Sequence, residues 1–316
     1  MLATNPLVSI VLICYNQEKT IEDALESLLG QTYKNTELII SDDCSTDSTV
    51  KIIKTFLKRR GATYKLNVNE KNLGIGGNLR AAMSLVSGQF IVPATGDDIS
   101  ISDRIRLVVD HWIKSGKKVL YINTDLIRID RDGNYLEYIK ADNFTDYPNV
   151  AAWIKSPQFQ VGAQYWSREF YEKFPLMLNV YGDDQILAFR AIILGAGSTM
   201  HQATAKHRIG GISTTKPNSL KNKINRLVSD AQHSILDFNQ LLLDAKYCNI
   251  EDEILDLCKK KIAEAELIIY ALDGNNKNSK IIAKLFNEKL VSPHKKVRLF
   301  FYSILPWLMA IFFKKY

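Results

Sequence analysis

The sequence predicts the α/β class: a mostly parallel sheet flanked by helices, with an α-helical C-terminal extension. Three observations predict it. The first half alternates apolar runs of strand length with segments of helical periodicity, the signature of βαβ units. Its strand runs are continuous and rich in β-branched residues, as buried parallel strands are. From about residue 218 to 290 the pattern turns almost wholly helical.

"LVSIVLIC" opens the chain as a central strand. In "YNQEKTIEDALESLLGQ", Ile21, Ala24, Leu25, Leu28 and Leu29 recur at helical spacing. "TELIISDD" is a second strand, and "DSTVKIIKTFLKRRG" a helix closed by Gly61. A weaker strand, "TYKLNVNE", precedes "GNLRAAMSLVSG", a helix that ends on Gly88. "QFIVPATGDD" is the fourth strand. "SDRIRLVVDHWIKSG" follows as a helix, with Ser102 expected as its N-cap. "KKVLYINTDLIRID" is the fifth strand, and "RDGN" offers a hairpin turn. Residues 146–217 read as short mixed elements, and "TTKPNS" and "DGNNKNS" are breaks. The expected division is 1–217 for the α/β domain, 218–290 for a helical region and 291–316 for a basic, apolar tail.

The chain has 316 residues, of which 46% are hydrophobic, enough for a sizeable core. Its net charge of +7 is concentrated in the last third, in "KPNSLKNKINR", "CKKK", "HKK" and the final "KKY". Such a balance points to anionic phosphates or to a solvated surface. Nucleic acid is not an expected partner. Cys14, Cys44, Cys248 and Cys258 form no CxxC and no zinc-finger spacing, which reads as a reducing compartment. The N-terminus has no basic region before an apolar core, so no signal peptide is expected. No apolar run reaches the length of a membrane span.

Three acid pairs stand out. In parallel sheets ligands bind at the carboxyl ends of strands. Asp42-Asp43 end the second strand and Asp97-Asp98 the fourth, so both pairs are expected on one edge. Each pair has a plain reading as turn or capping residues. Each also has a functional one: Asp42-Asp43 accepting from a base or ribose, and Asp97-Asp98 holding Mg²⁺ or Mn²⁺ together with substrate phosphates. Asp183-Asp184 open the helical run "DDQILAFR". There they either complement the helix dipole or supply a general base. "NLGIGGNLR" is neither G-x-G-x-x-G nor a P-loop. It reads as a glycine loop with Asn78 and Arg80 on the first turn of a helix.

Taken together, "PLVSIVLICYN", "ESLLGQTY", "LIISDDCSTDST", "SGQFIVPATGDD" and "GDDQILAFR" resemble glycosyltransferase family 2 over about residues 6–215. The resemblance implies a GT-A, Rossmann-like fold and an inverting, metal-dependent transfer from a nucleotide sugar. It implies that Tyr15, Asn16, Asp42 and Asp43 line the nucleotide pocket, with Asp43 reading a pyrimidine base of a UDP- or dTDP-sugar. Asp97 would bind Mn²⁺ or Mg²⁺, with Asp98 beside it. Asp184 would be the base that deprotonates the acceptor. Arg80, His207 and Arg208 would reach the base or diphosphate. Two positions depart from the family pattern: Thr95 stands where the first acid of D-x-D is usual, and "NLR" replaces "ARN". A nucleotidyltransferase and a non-catalytic nucleotide-sugar-binding protein are the alternatives.

The segment "HKKVRLFFYSILPWLMAIFFKKY" sets fifteen mostly apolar residues, interrupted by Pro306, between basic clusters. It is too short to cross a ~30 Å hydrocarbon core and suits the membrane interface. Tyr302 and Trp307 are expected at head-group depth there. A buried helix packed on the helical region is the other reading. The interfacial reading implies a cytoplasmic protein, peripheral on the inner membrane. Its acceptor would be a polyprenyl-diphosphate-linked saccharide of surface-polysaccharide assembly, as in O-antigen or capsule.

Overall fold

In the computed structural model, residues 5–157, 159–175, 177, 180–209, 219–272 and 278–305 are described. They divide into two compact units, one of residues 1–179 and 183–214, the other of residues 180–182 and 215–316.

The first unit is built on one sheet. In chain order its elements are β1 (Val8–Cys14), α1 (Ile21–Leu29), β2 (Thr36–Asp42), α2 (Thr49–Arg60), β3 (Lys65–Val68), α3 (Gly74–Met83), β4 (Phe90–Thr95), β5 (Ile99–Ser100), α4 (Arg104–Lys114), β6 (Tyr121–Ile129), β7 (Tyr135–Ile139), α5 (Val150–Lys155), β8 (Ala163–Ser167), α6 (Arg168–Glu172), α7 (Asp183–Leu194) and β9 (Gly197–Arg208). The strand order is β3-β2-β1-β4-β8-β6-β9-β5, with β7 on β6. From β3 to β4 all pairings are parallel. β8 then inserts antiparallel between β4 and β6, and β9 returns parallel to β6.

The sequence explains the parallel half. Val8, Ile10 and Leu12 on β1 and Leu38 and Ile40 on β2 are buried, and Ile21, Leu25, Ile53 and Leu57 from α1 and α2 close the same core. Gly61 ends α2 at φ 60°, in the left-handed region that glycine enters without Cβ strain. Two local expectations change. α4 starts at Arg104 behind Asp103, and the Ser102 carbonyl accepts from Thr32 N instead of Ser102 capping the helix. The glycines of "GIGG" lie inside α3, where Gly76 and Gly77 are buried.

At the amino ends of the strands, one carboxylate ties four of them. Glu37 of β2 accepts from Ser9 Oγ of β1, from Lys65 Nζ of β3, and from the Ser87 and Gly88 N–H groups that lead into β4. Burial pushes its pKa up, but the bonds from Ser9, Lys65 and the Ser87 backbone outweigh this and lower it to about 2.

The second unit is helical: α8 (Leu220–Tyr247), α9 (Glu251–Leu272), α10 (Asn278–Asn287) and α11 (Pro293–Ile304). Its core holds Leu267, Ala271, Leu272, Ile281, Leu285, Val291, Leu299 and Tyr302. The start of the apolar tail is therefore core-forming helix. Tyr302, expected at head-group depth, is buried, with Lys223 Nζ 5.6 Å from its ring centroid. Pro306 and Trp307 lie outside the described residues. No described helix is long and apolar enough to cross a membrane.

A carboxylate with a depressed folded pKa stabilises the protein above its unfolded pKa, and the gain is lost as pH falls through the folded value. Glu37→Gln is expected to lower the unfolding free energy by about 1–3 kcal/mol at neutral pH. The gap to the parent should close between the ordinary glutamate range and about pH 2. Urea unfolding at several pH values checks this.

Candidate active site

The parallel register levels three strand ends. Asp42 stands opposite Cys14, and Thr95 opposite Ile13. The loops after β1, β2 and β4 therefore leave the sheet at one height on its carboxyl edge.

The first two loops are laced together by the residues that follow the strands. Asn16 adopts φ 51°, a left-handed conformation that asparagine tolerates. Its N–H donates to Ser45 Oγ at 2.8 Å, and its Oδ1 accepts from Thr46 N at 2.8 Å. Tyr15 beside it is half-buried. Asp42 is fully buried and accepts from Ser45 N and Ser45 Oγ at 2.8 and 2.6 Å. Asp42 thus shapes the turn, and Asp43 emerges from it.

Asp43 is 3% exposed. Its Oδ1 accepts from Asn69 Nδ2 at 2.9 Å and Leu73 N at 2.8 Å, and its Oδ2 from Gly74 N at 2.9 Å. A carboxylate has about four lone-pair sites, so three donors leave room for one more. These bonds dock the start of α3 against the end of β2. Asn78 of α3 completes the contact. Its Oδ1 accepts from Ser41 Oγ at 2.6 Å, and its Nδ2 donates to Ser41 O at 3.0 Å. Arg80, two residues on, donates from Nη1 to Met177 O at 3.1 Å.

The third loop carries Asp97 and Asp98. Gly96 is needed where it stands: a Cβ there would lie 2.2 Å from Gln17 Oε1, 2.8 Å from Ile21 Cδ1 and 3.0 Å from Cys14 Cβ. Burial, and then the adjacent Asp98 charge, raises the Asp97 pKa. Asp98 faces β9. Its Oδ1 accepts from Arg208 N at 3.0 Å and from His207 Nδ1 at 3.2 Å. That bond to Asp98 raises the His207 pKa, against the effect of burial.

Arg208 is placed differently from the expectation that it contacts a diphosphate. Its Nε donates to Asp97 O at 3.0 Å, and its Nη1 to Arg131 O at 2.6 Å and Asp130 O at 3.4 Å. Its Nη2 lies 3.6 Å from the Asp23 carboxylate. With the side chain 8% exposed, this guanidinium pins the acidic turn to the β6–β7 hairpin. A second buried cation supports the turn from the core. Arg104 donates to Pro93 O of β4, Ser100 Oγ of β5 and Tyr165 Oη of β8. Neither role is legible in the sequence, because both run through backbone carbonyls and hydroxyls distant along the chain.

Asp183 and Asp184 form the first turn of α7. Residues 195–196 join α7 to β9. After burial, the charges of Asp184 and Asp183 are what raise the pKa of the buried Tyr121, at the start of β6. Burial raises the Asp184 pKa, although Asp184 Oδ1 accepts from Gln185 N at 2.8 Å. Gln185 in turn bonds both backbone groups of Phe159.

Residues 9–174 match the profile of glycosyl transferase family 2. The chain belongs to that family. It is 36% identical over 121 residues to the UDP-Glc:α-D-GlcNAc-diphosphoundecaprenol β-1,3-glucosyltransferase WfgD of Escherichia coli, covering 38% of this chain and 47% of that protein. It is 30% identical over 203 residues to the succinoglycan biosynthesis protein ExoO of Rhizobium meliloti, covering 60% of this chain and 57% of that one. The chain thus spans about half the length of these relatives. Among solved structures, S. aureus TarS 1–349 in complex with UDP-GlcNAc superposes with a TM-score of 0.54 at 14% identity, covering 96% of this chain and 91% of that one. The mannosyltransferase PcManGT of Pyrobaculum calidifontis, in complex with GDP-Man and Mn²⁺, gives 0.56 at 16% identity, over 97% and 87%. The fold is that of the GT-A glycosyltransferases.

The residues present fit a divalent cation. No cluster of three or more His, Cys, Asp or Glu groups suited to a metal occurs among the described residues. Mg²⁺ and Mn²⁺ sites that include substrate phosphates need only one or two protein carboxylates. A desolvated Asp97 carboxyl beside a second acid is a position where a cation relieves repulsion.

The His207–Asp98 bond gives a direct check. In the parent, the His207 imidazole should titrate above the ordinary histidine range. Asp98→Asn should bring it down toward that range, read from the ring-nitrogen shifts by NMR across pH.

Proposed function

We propose that the chain is an inverting glycosyltransferase. It moves a sugar from a UDP- or dTDP-sugar to a hydroxyl of a polyprenyl-diphosphate-linked saccharide in the assembly of bacterial surface polysaccharide. One observation carries this reading: Asp43 and the Asp97 carboxyl sit on loops that leave the sheet at one level. A nucleoside diphosphate presents the matching pair of ends, a base with N–H donors and a pair of charged phosphates. The names of relatives support the finer points. WfgD is named for a UDP-glucose donor and a diphosphoundecaprenol-linked acceptor. PcManGT carries GDP-Man, so the fold itself admits guanine, and the pyrimidine preference proposed here rests on Asp43.

In this reading the base N–H takes the remaining acceptor position on Asp43. Tyr15 and Asn16 line the same pocket, and Asp42 holds the turn that presents it. Asp97 holds Mn²⁺ or Mg²⁺ together with the donor diphosphate. A divalent ion so bound offsets the negative charge that develops on the leaving phosphate. His207, kept in place by Asp98, adds a second donor or a positive charge beside it. Arg208 keeps the Asp97 backbone fixed, and Arg80 lies on α3, the helix whose start Asp43 holds. Asp184 accepts the proton of the acceptor hydroxyl as the new bond forms, which is worth about 10²–10⁴-fold. One base and one displacement invert the anomeric centre.

The acceptor's lipid anchor sets the place of work at the cytoplasmic face of the membrane. Within the apolar segment from Leu299 to Phe313, Leu299 and Tyr302 are buried in the helical core; a membrane contact is proposed for its other residues, of which those after Leu305 lie outside the described residues.

The test is a panel of nucleotide sugars with Mn²⁺ or Mg²⁺, followed by Asp184→Asn on the best donor. A uridine or thymidine sugar should be turned over, and chelator should stop the reaction. A nucleoside triphosphate as the preferred ligand would favour a nucleotidyltransferase, and binding without turnover a non-catalytic protein. Asp184→Asn should keep donor affinity and lose about 10²-fold or more in turnover. A raised Asp184 pKa places the acid limb of the parent's kcat/KM profile above the ordinary carboxylate range, with activity falling as pH drops through it. The variant's residual rate should lack that limb.

A further inference from the structure

Gln185 follows Asp184 in the first turn of α7, and its amide binds one partner twice. Its Oε1 accepts from Phe159 N at 3.0 Å, and its Nε2 donates to Phe159 O at 2.9 Å. The far side of that contact is well held. The Phe159 ring is buried, with its centroid 4.5 Å from that of Phe144 and 5.2 Å from that of Tyr147. The N–H of the next residue, Gln160, donates to Asp142 Oδ2 at 2.8 Å. Its carbonyl accepts from Asp142 N at 3.0 Å and from Asn123 Nδ2 at 3.2 Å. Asn123 is a fully buried residue of β6, and its Oδ1 accepts from Gly162 N at 2.9 Å. Gln185 therefore ties the turn that carries Asp184 to the sheet, by way of Phe159, Gln160 and Asn123.

Gln185 also acts on the carboxyl itself. Asp184 Oδ1 accepts from the Gln185 N–H at 2.8 Å. Burial raises the Asp184 pKa, and the backbone and side chain of Gln185 both hold it back. Stability alone does not call for this clamp. Ile186, Leu187, Ala188 and Phe189 are all buried and already secure α7 in the core. An amide bonded through its acceptor and one of its donors adds direction, and it adds it at the turn that carries the acids.

We propose that Gln185 is the positioning residue of the general base: it fixes the direction of the Asp184 carboxylate against Phe159. It acts through Asp184 and not on either substrate. The inference rests on Asp184 as the base, the reading given above.

The test uses the full chain and the variants Gln185→Leu and Gln185→Glu. The second keeps the size of the side chain and serves as the control if the first melts low. Carbon NMR follows the Asp184 carboxyl across pH, with Asp184→Asn assigning its signal. In both variants that carboxyl should titrate at higher pH than in the parent. The rise should be larger in Gln185→Glu, which sets another negative charge beside it. Turnover is measured on the best UDP- or dTDP-sugar of the panel above. The acid limb of kcat/KM should move up with the titration, because the base must be ionised to accept a proton. The plateau of kcat should fall by about 10- to 10²-fold, while affinity for UDP with Mn²⁺ stays at the parent's value. In the Asp184→Asn background, Gln185→Leu should cost no further turnover, whereas a loss of packing would add to the first. An unmoved titration and limb in both variants would overturn the proposal, as would equal losses of UDP affinity and turnover. Parent-like kinetics in both variants beside an inactive Asp184→Asn would overturn the clamp alone. A moved titration beside a fully active Asp184→Asn would overturn the base reading, and this proposal with it.

Discussion

The site depends on the parallel register of β2, β1 and β4. Because Asp42, Cys14 and Thr95 fall at nearly one height, the residues that follow each strand must share one edge. A one-residue slip in a strand would turn its side chains to the other face and take the acids out of line. The protein guards that register at both ends. Glu37 ties the amino ends of four strands through charge-assisted bonds. At the carboxyl ends, Asp43 fastens α3 to β2, and Arg104 fastens β4, β5 and β8.

Two acids side by side are unfavourable unless something answers their charge. The structure answers them unequally. Asp98 receives the Arg208 N–H and the His207 imidazole, whereas the side chain of Arg208 turns to the Asp97 carbonyl and the hairpin beyond. Asp97 is left desolvated beside its neighbour, and its pKa rises. One acid of the pair is thereby part of the scaffold, and the other is suited to a ligand that brings its own positive charge. Asp42 and Asp43 divide in a similar way. Asp42 closes its own turn, and Asp43 keeps acceptor capacity after docking α3.

Much of this was legible in the sequence. Continuous apolar runs identified the parallel strands, because a strand covered on both faces needs no polar alternation. The acid pairs at strand ends indicate a shared edge, because ligands of parallel sheets bind at the carboxyl ends of strands. The short β5 was not foreseen, since two residues carry no period. Arg208 is expected from the sequence to reach a base or diphosphate, but its partners are carbonyls that only the fold brings near, and Arg104 carries no signal in the sequence for the same reason. Tyr302 was expected at a membrane and is buried, because the apolar run that starts at Leu299 completes the helical core.

A single displacement with Asp184 as the proposed base fixes the configuration of the product, so its stereochemistry is the most direct test. With an α-linked donor and its acceptor, proton NMR of the product should show a β-configured anomeric centre. An α-configured product would mean retention, and would contradict the placing of base and leaving group on opposite faces of the sugar.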